Sequence, residues 1–554
     1  MSKIPHNTAL LGDEALALGA LHAGLSAAYG YPGTPSTEIM EYLQRSAGAF
    51  SCTARWCANE KTAMEAALGV SFAGRRALVT MKHVGLNVAS DPFINGALLG
   101  IKGGLVAAVA DDPGMHSSQG EQDSRFYAAF ALVPCLEPRS QQEAYDMVRE
   151  AFDLSERHAV PVLLRLATRL SHARASISTR PAREQNRCEK TSEETKWMLL
   201  PAYARKNYAA LLEKQRDFLA WSADHAVNKL ELDGRDKSFA VITAGLGGNY
   251  YEENLGDLTA ARGAAPARLH IGAYPLPEAG IRSLCAGAKE VLVIEEGQPF
   301  IEEKLRGILP QAVAVRGRLG ADARLPRTGE LDPDNVREAL GLSPRPSLAA
   351  AVQGGPYFDT LPGRPPQLCQ GCPHADSYEV IKRAAAELDS SPGRPTVSVN
   401  ADIGCYSLGA APPYSAVESI VCMGAGVGMA RGAADAGIAY AIGVIGDSTF
   451  VHSGITGLID AVQAGTPMTL CILDNSIVAM TGCQPTAVSS SQLKALILGC
   501  GLDPAHYLEL EAKKQKLEEN AAKLKTEAEY RGPSVVVFKR ECLEAARKRL
   551  KAGK

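Results

Sequence analysis

Several features that mark common protein classes are missing from this chain. No apolar run in its 554 residues approaches the roughly 20 residues of a membrane span, so no membrane partner is expected. Residues 1–8 are polar and lack the apolar core of a signal peptide, so the expected location is cytoplasmic. An excess of one charge is also lacking. The formal net charge of −3 gives no electrostatic case for a nucleic acid or a membrane surface as partner. Aromatic residues make up only 6%, and none of them singly reports an indole or phenyl pocket. The 13 cysteines do not suggest a disulfide scaffold in a chain this long, and cytosolic thiols stay reduced. Most of them, including Cys52, Cys285, Cys471 and Cys500, sit in apolar stretches and read as small core residues. Apolar residues, by contrast, are plentiful at 46%, so burial is ample. The length implies three or four domains rather than one core.

One stretch organises the chain. An apolar strand reads into Gly446-Asp447-Ser448-Thr449, an apolar helix follows, and a second apolar strand (468–473) ends in Asp474-Asn475-Ser476-Ile477. A strand-helix-strand unit brings both polar ends to one edge of a parallel sheet, although Asp447 and Asn475 are 28 positions apart. Two hard oxygen ligands there suit Mg²⁺, with a diphosphate supplying further oxygens. Glycines let backbone N–H groups approach phosphate. The alternative is an ordinary turn capped by Asp447 and Asn475.

Taken in order, residues 1–178 read as α/β. A helix opens at Leu10-Leu11-Gly12 and runs to Gly30. Tyr31-Pro32-Gly33-Thr34-Pro35-Ser36-Thr37-Glu38 follows as a loop fixed by two prolines, with Ser36 or Thr37 capping the next helix. Thr34 is presented at a strand end, where α/β sheets bind ligands. Asn59-Glu60-Lys61 opens a helix of small residues, which argues for tight burial and a raised pKa at Glu60. Lys82-His83-Val84-Gly85-Leu86-Asn87 follows a short strand. A buried strand (104–110) ends in the polar loop 111–123, where Asp111 and Asp112 are either site residues or turn residues before Pro113. Residues 179–237 read as a helical linker that is partly exposed. Residues 238–345 form a second α/β unit whose Gly245-Leu246-Gly247-Gly248 turn lacks the spacing of a dinucleotide fingerprint, so this unit is read as structural. A Pro- and Gly-rich joint, 346–365, leads to a last domain, 366–543. That domain holds Cys369-Gln370-Gly371-Cys372-Pro373-His374, Asp402-Ile403-Gly404-Cys405-Tyr406, Gly424 before an Ala/Gly-rich helix, the organising stretch, a charged helix (510–527), a final strand and Cys542. A basic tail, 544–554, follows.

Together these segments resemble the α subunit of indolepyruvate:ferredoxin oxidoreductase, in the thiamine diphosphate-dependent 2-oxoacid:ferredoxin oxidoreductase superfamily. The resemblance implies a pyrimidine-binding domain first, a transketolase-C-like domain in the middle and a diphosphate-binding domain last. It implies oxidative decarboxylation of an aryl 2-oxoacid with CoA to an acyl-CoA, the electrons leaving through an iron–sulfur centre. In that family Glu60 stands against the cofactor aminopyrimidine and Thr34 meets the substrate carboxylate. Tyr31, Pro32, Gly33, Gly85, Asp402, Gly404, Gly424, Gly446 and Ser448 bind the cofactor. Asp447, Asn475 and the Ile477 carbonyl hold Mg²⁺. Such sites form between pyrimidine and diphosphate domains, commonly from two chains, so a dimer is expected, together with a β subunit and a ferredoxin or other electron carrier. Cys369, Cys372, Cys405 and Cys542 stand where superfamily members bind a [4Fe–4S] cluster. Zinc and a purely structural role are the alternatives for these four. The family's usual C-terminal ferredoxin-like domain has no counterpart in the sequence through Lys554, so electrons are expected to leave through another subunit or acceptor. A redox-free decarboxylase or carboligase on the same scaffold is the runner-up, and a cofactor-binding scaffold subunit the third reading.

Overall fold

Strands that are apolar on both faces set the architecture. Leu105–Asp111, Val162–Ala167 and Met468–Asp474 are buried at every position, as strands covered on both sides of a parallel sheet must be. The computed structural model describes residues 7–189, 191–193, 195–346, 366–389 and 396–552. It divides into two compact units, Met1–Thr360 and Leu361–Lys554. Almost all of the expected joint at 346–365 lies outside the described residues. Among the described residues no helix is long and apolar enough to cross a membrane.

The first unit holds two large sheets. In the seven-stranded sheet the spatial order is Ala273–Tyr274, Cys135–Leu136, Val162–Ala167, Leu105–Asp111, Ala77–Lys82, Ala27–Gly30 and Thr53–Trp56. All of its pairings are parallel except that of Ala273–Tyr274 with Cys135–Leu136. The five-stranded sheet is built on Asp236–Ala244, flanked in parallel by Pro266–Ile271 and Glu290–Ile294. Ala273–Tyr274 leaves this second sheet and adds to the edge of the first, so the two sheets are stitched by one short crossing.

Three local expectations change. The first helix is Gly12–His22 and stops well short of Gly30, which instead ends the strand Ala27–Gly30. Gly24, at φ +79°, takes the left-handed conformation that ends the helix. The described residues of 179–200 form no helix, and polar groups among them bond to the first unit instead. Gln185, for example, donates to the carbonyls of Leu25, Phe50 and Ser51. The helix of this region is Pro201–Asp224. Finally, the charged helix expected over 510–527 is Leu517–Glu529, and Tyr507–Glu511 is a sheet-edge strand. The Asn520 amide donates to the Glu511 carbonyl and pins that boundary.

The second unit is built on a six-stranded parallel sheet, with a small antiparallel pair, Ile477–Val478 and Gln484–Pro485, beside it in the chain. The sheet's order is Ser419–Ile420, Val397–Ala401, Tyr440–Gly446, Met468–Asp474, Ser534–Lys539 and Tyr507–Glu511. Alternation divides its core between two faces. Ile442, Val444, Cys471 and Leu473 pack on one side, and Ala441, Ile445, Leu470 and Ile472 on the other. Gly446 pairs with Leu473, so the residues that follow them leave the sheet side by side.

Candidate active site

In open α/β sheets ligands collect beyond the carboxyl ends of the strands, and each unit gathers polar residues there. In the first unit Tyr31, Pro32 and Gly33 leave the strand Ala27–Gly30 and are buried, with Thr34 half-buried. The loop is self-braced. The Gly33 N–H donates to Thr37 Oγ1 at 3.1 Å, and Ser36 Oγ donates back to the Gly33 carbonyl at 2.8 Å. Neither hydroxyl therefore caps the following helix as expected: the N-cap Ser36 makes no side-chain capping bond. The Thr34 carbonyl accepts from Ser117 Oγ at 3.2 Å, which ties this loop to the 111–123 loop.

Glu60 opens the helix Glu60–Phe72 behind Asn59, whose side chain accepts from the Thr62 N–H at 2.8 Å. The Glu60 side chain is only 5% exposed and lies over Gly85, in the first turn of the helix His83–Leu99. A Cβ on Gly85 would stand 2.6 Å from Glu60 Oε1, so glycine is what lets the carboxylate occupy this place. Lys82 ends the strand Ala77–Lys82 and runs along Gly33, whose added Cβ would meet Lys82 Cδ at 3.1 Å. Burial lowers its ammonium to about 8, against the opposing pull of Asp112 and Glu60.

The two aspartates after the buried strand have separate duties. Asp111 pairs with Arg165 at 2.6 Å inside the core. Asp112 accepts from the Ser117 N–H at 2.8 Å, Ser118 Oγ at 2.7 Å and Thr168 Oγ1 at 2.7 Å, and so folds the site loop. Burial opposes its ionisation, but those bonds and Lys82 outweigh burial and hold its carboxyl below the usual range.

In the second unit Asp402 follows the strand Val397–Ala401 and is fully buried. It accepts from the Gly424 N–H at 2.7 Å and from the Tyr406 hydroxyl. Burial raises its carboxyl to about 7 against both hydrogen bonds. Gly424, at φ +88°, thereby opens the helix Ala425–Asp435 from a fixed point. The Tyr406 ring passes between Gly404 and Gly446, where an added Cβ would lie 2.3 Å and 2.6 Å from its Cε1.

Asp447, 7% exposed, begins the turn after the strand Tyr440–Gly446, with Ser448 half-buried beside it. Burial and the neighbouring carboxylate Asp474 raise Asp447 to about 8. Two buried carboxylates this close repel each other, and a divalent cation relieves that repulsion. Asn475 Oδ1 accepts from the Ile477 N–H at 3.1 Å and keeps a lone pair for a cation. Asn475 Nδ2 donates to His374 Nε2 at 3.1 Å, which fixes which end of the amide faces outward. Burial lowers His374 to about 4, so the ring stays a neutral acceptor.

The four cysteines converge on the same edge. Cys369 and Cys372 bracket a turn closed by the Cys372 N–H to the Cys369 carbonyl at 3.0 Å. Cys405 follows Asp402, and the Cys542 N–H reaches the Asn475 carbonyl at 3.4 Å. Burial raises the Cys405 thiol to about 12, and Cys372, Cys542, Cys369 and a fifth thiol, Cys483, push it the same way. Burial raises Cys372 as well, with Cys369 and Cys542 adding to it. Arg540 clamps the assembly, donating to the Gly371 carbonyl at 2.8 Å and the Ala512 carbonyl at 2.7 Å and pairing with Asp376. Among the described residues no group of three or more His, Cys, Asp or Glu stands in closed metal-holding geometry. The Asp447–Asn475–Ile477 set contains only one such residue.

Sequence reasoning gave no role to His374, Asp474, Lys82, Cys483 or Arg540. The first three were visible as neighbours of quoted motifs. Arg540 is a lone cation after a strand, and nothing in its spacing reports the clamp.

The comparisons with known proteins agree with this arrangement. Residues 18–229 match the family "Pyruvate flavodoxin/ferredoxin oxidoreductase, thiamine diP-bdg", and residues 402–538 match "Thiamine pyrophosphate enzyme, C-terminal TPP binding domain". The chain is 38% identical over 515 residues to "Indolepyruvate oxidoreductase subunit IorA" of Archaeoglobus fulgidus, covering 89% of this chain and 80% of that one. The protein of the same name from Methanothermobacter thermautotrophicus is 38% identical over 482 residues, covering 86% and 76%. A solved 2-oxoglutarate:ferredoxin oxidoreductase from Magnetococcus marinus, with 2-oxoglutarate, coenzyme A and succinyl-CoA bound, is similar at TM-score 0.50 and 16% identity. It covers 60% of this chain and 65% of that chain. At that identity the likeness speaks for the fold.

Proposed function

The chain belongs to the indolepyruvate oxidoreductase subunit IorA family, and from that premise we propose that it catalyses thiamine diphosphate-dependent oxidative decarboxylation of an aryl 2-oxoacid. The 2-oxoacid and CoA become acyl-CoA and CO₂, and two electrons pass one at a time to ferredoxin or an equivalent carrier. The observation that carries this reading is the 38% identity over 89% of the chain with a protein named for the reaction. The relatives are named oxidoreductases, and nothing on the site edge favours a redox-free decarboxylase.

Thiamine diphosphate, when bound, supplies the electron sink for the carbanion left by loss of CO₂. The residues present fit it. Asp447, Asn475 and the Ile477 carbonyl are hard oxygen donors for Mg²⁺ on the diphosphate. Gly424, Gly446 and Ser448 line the same strand ends and keep the backbone open to phosphate oxygens. Tyr406 packs against Gly404 and Gly446 and keeps that turn rigid. His374 holds Asn475 with its oxygen outward, as outer partners of metal ligands do. In the first unit Glu60 would hold a proton against the aminopyrimidine ring nitrogen, kept in place by the close approach to Gly85. Tyr31, Pro32 and Gly33 shape the adjacent wall, and Thr34 would donate to the substrate carboxylate.

We extend the proposal to a [4Fe–4S] cluster on Cys369, Cys372, Cys405 and Cys542. What supports it is the sequence pattern, a Cys-x-x-Cys pair at Cys369 and Cys372 with Cys405 after Ile403-Gly404 and a late Cys542, since the described residues hold no ready-made group of metal ligands. A cluster there accepts electrons singly. The chain would act as a dimer and with a partner subunit. Anaerobic purification with iron and sulfide analysis tests the cluster: about four irons per chain are expected, and Cys405→Ser should lower that content. Iron-free protein that still reduces an acceptor would overturn the cluster. Substitution Glu60→Gln should lower kcat at least 100-fold with the cofactor still bound, and an unchanged rate would remove Glu60 from the chemistry.

A further inference from the structure

The second sheet of the first unit was expected to be structural only, yet its carboxyl edge carries a built cavity of about 130 Å³. Thr243 and His270 stand near the ends of the parallel strands Asp236–Ala244 and Pro266–Ile271, and the Gly245–Gly248 turn leads from the first of these into the helix Gly247–Arg262. Arg268 and His270 lie on one strand and are each only 4% exposed. His270 Nε2 and Arg268 Nε are buried without hydrogen-bond partners. A buried N–H left unmatched is costly, roughly 1–3 kcal/mol each, and calls for a ligand.

The hydrogen-bond order shows what the cavity wants. Arg268 Nη2 reaches Thr243 Oγ1 at 3.5 Å, and Thr243 Oγ1 lies 2.9 Å from His270 Nδ1. The arginine can only donate, and the threonine oxygen, with two lone pairs, can either donate its proton to Nδ1 or accept one from it. An anion in the cavity selects the first arrangement, in which Nε2 carries the N–H. Burial and the charges of Arg139 and Arg268 hold this imidazole neutral, well below its ordinary value. Arg139 completes the wall, with its carbonyl held by Asn249 Nδ2 at 2.8 Å. Gly248 is essential to the shape, since a Cβ there would stand 2.8 Å from His270 Cε1 and 3.1 Å from Arg139 Nη1. Of the two groups without partners, Arg268 Nε is a donor in every state, and His270 Nε2 becomes one in the tautomer that an anion selects.

We propose that this cavity is an oxyanion site for a phosphate group, with Arg139, Arg268 and His270 as its ligands. Three carboxylates share the lining: Glu231 is held by Lys229 and Arg235, Glu143 pairs with Arg139 at 3.5 Å, and Glu252 pairs with Arg268, lies 3.8 Å from Arg139 and is 44% exposed, so it can swing out. The cavity is small beside the roughly 300–1,000 Å³ of pockets for drug-sized ligands, which suits a tetrahedral oxyanion rather than a whole cofactor. The site lies on a different sheet of the first unit from the strand that leads to Gly85, and it does not depend on the thiamine diphosphate assignment.

Calorimetric titration of inorganic phosphate into the full chain, presaturated with thiamine diphosphate and Mg²⁺, tests the site at constant ionic strength set with chloride. Saturable binding is expected, weakened at least tenfold in Arg139→Met and tightened at least threefold in Glu252→Gln. Both substituted side chains are partly exposed, so the variants should fold. A parallel titration with 3′-AMP separates the sources: tighter binding than phosphate assigns a nucleotide monoester, weaker binding assigns the free ion. Absence of saturable binding, or binding indifferent to both substitutions, would overturn the site.

Discussion

The substitution Gly85→Ala isolates the placement of Glu60. The new Cβ would lie 2.6 Å from Oε1, 2.8 Å from Cγ and 2.9 Å from Cδ of Glu60. Comfortable carbon contacts begin at roughly 3.5 Å, so the carboxylate must retreat by about 1 Å. Displacement on that scale costs about 100-fold in rate when a group must meet a reacting atom. The fold itself should barely register the change. Overpacking costs about 1–3 kcal/mol, while alanine gains about 1 kcal/mol over glycine within a helix. The net expectation is a destabilisation of about 0–2 kcal/mol, so folded protein remains available for assay. Steady-state kinetics with an aryl 2-oxoacid, CoA and a one-electron dye should show kcat/KM reduced about 100-fold, while the far-ultraviolet spectrum is unchanged. Activity within threefold of the parent would refute the claim that Gly85 sets the position of a catalytic carboxylate.

Four other outcomes are expected. Asp447→Asn should lose thiamine diphosphate on gel filtration in the presence of Mg²⁺, as read by thiochrome fluorescence, while cofactor-free thermal stability stays the same. Asn475→Ala should do likewise, and His374→Ala should weaken Mg²⁺ affinity about 10- to 100-fold, as outer partners of metal ligands do. Glu296 is 1% exposed, and burial raises it to about 7 against the Leu331 N–H and Arg318. A carboxyl raised on folding favours the folded state at low pH, and that advantage is lost as pH rises from about 4.5 through 7. A shift of this size is worth about 3 kcal/mol, so Glu296→Gln should flatten the loss of stability across that window in denaturant titrations, and an unchanged pH profile would count against it.

The sequence was most informative where one strand-helix-strand unit carried the chemistry. Asp447 and Asn475 leave adjacent strands because glycine-bounded apolar runs leave few other ways to pair. Glu60 was legible as the first residue of a helix too small-sided to be exposed. What the sequence could not show were contacts across long separations with no periodic signature. Arg540 reaching back to Gly371, His374 reaching Asn475 and Gln185 donating to the Leu25 carbonyl are of this kind. The Leu517 boundary was missed because a charge-rich segment reads as helix whether or not its first residues complete a sheet edge. The His270 cavity was hidden for a different reason. A histidine and an arginine alternating on a buried strand look like isolated exceptions until the Gly248 turn is folded over them.

The central claim is that this chain couples decarboxylation to one-electron transfer. The most direct measurement is the electron yield per CO₂ released by the anaerobically prepared holoenzyme with its partner subunit, given an aryl 2-oxoacid, CoA and excess oxidised ferredoxin. Two ferredoxins reduced and one acyl-CoA formed per CO₂, with no turnover when either CoA or acceptor is withheld, is the expected result. Steady release of CO₂ and aldehyde without any acceptor would contradict it.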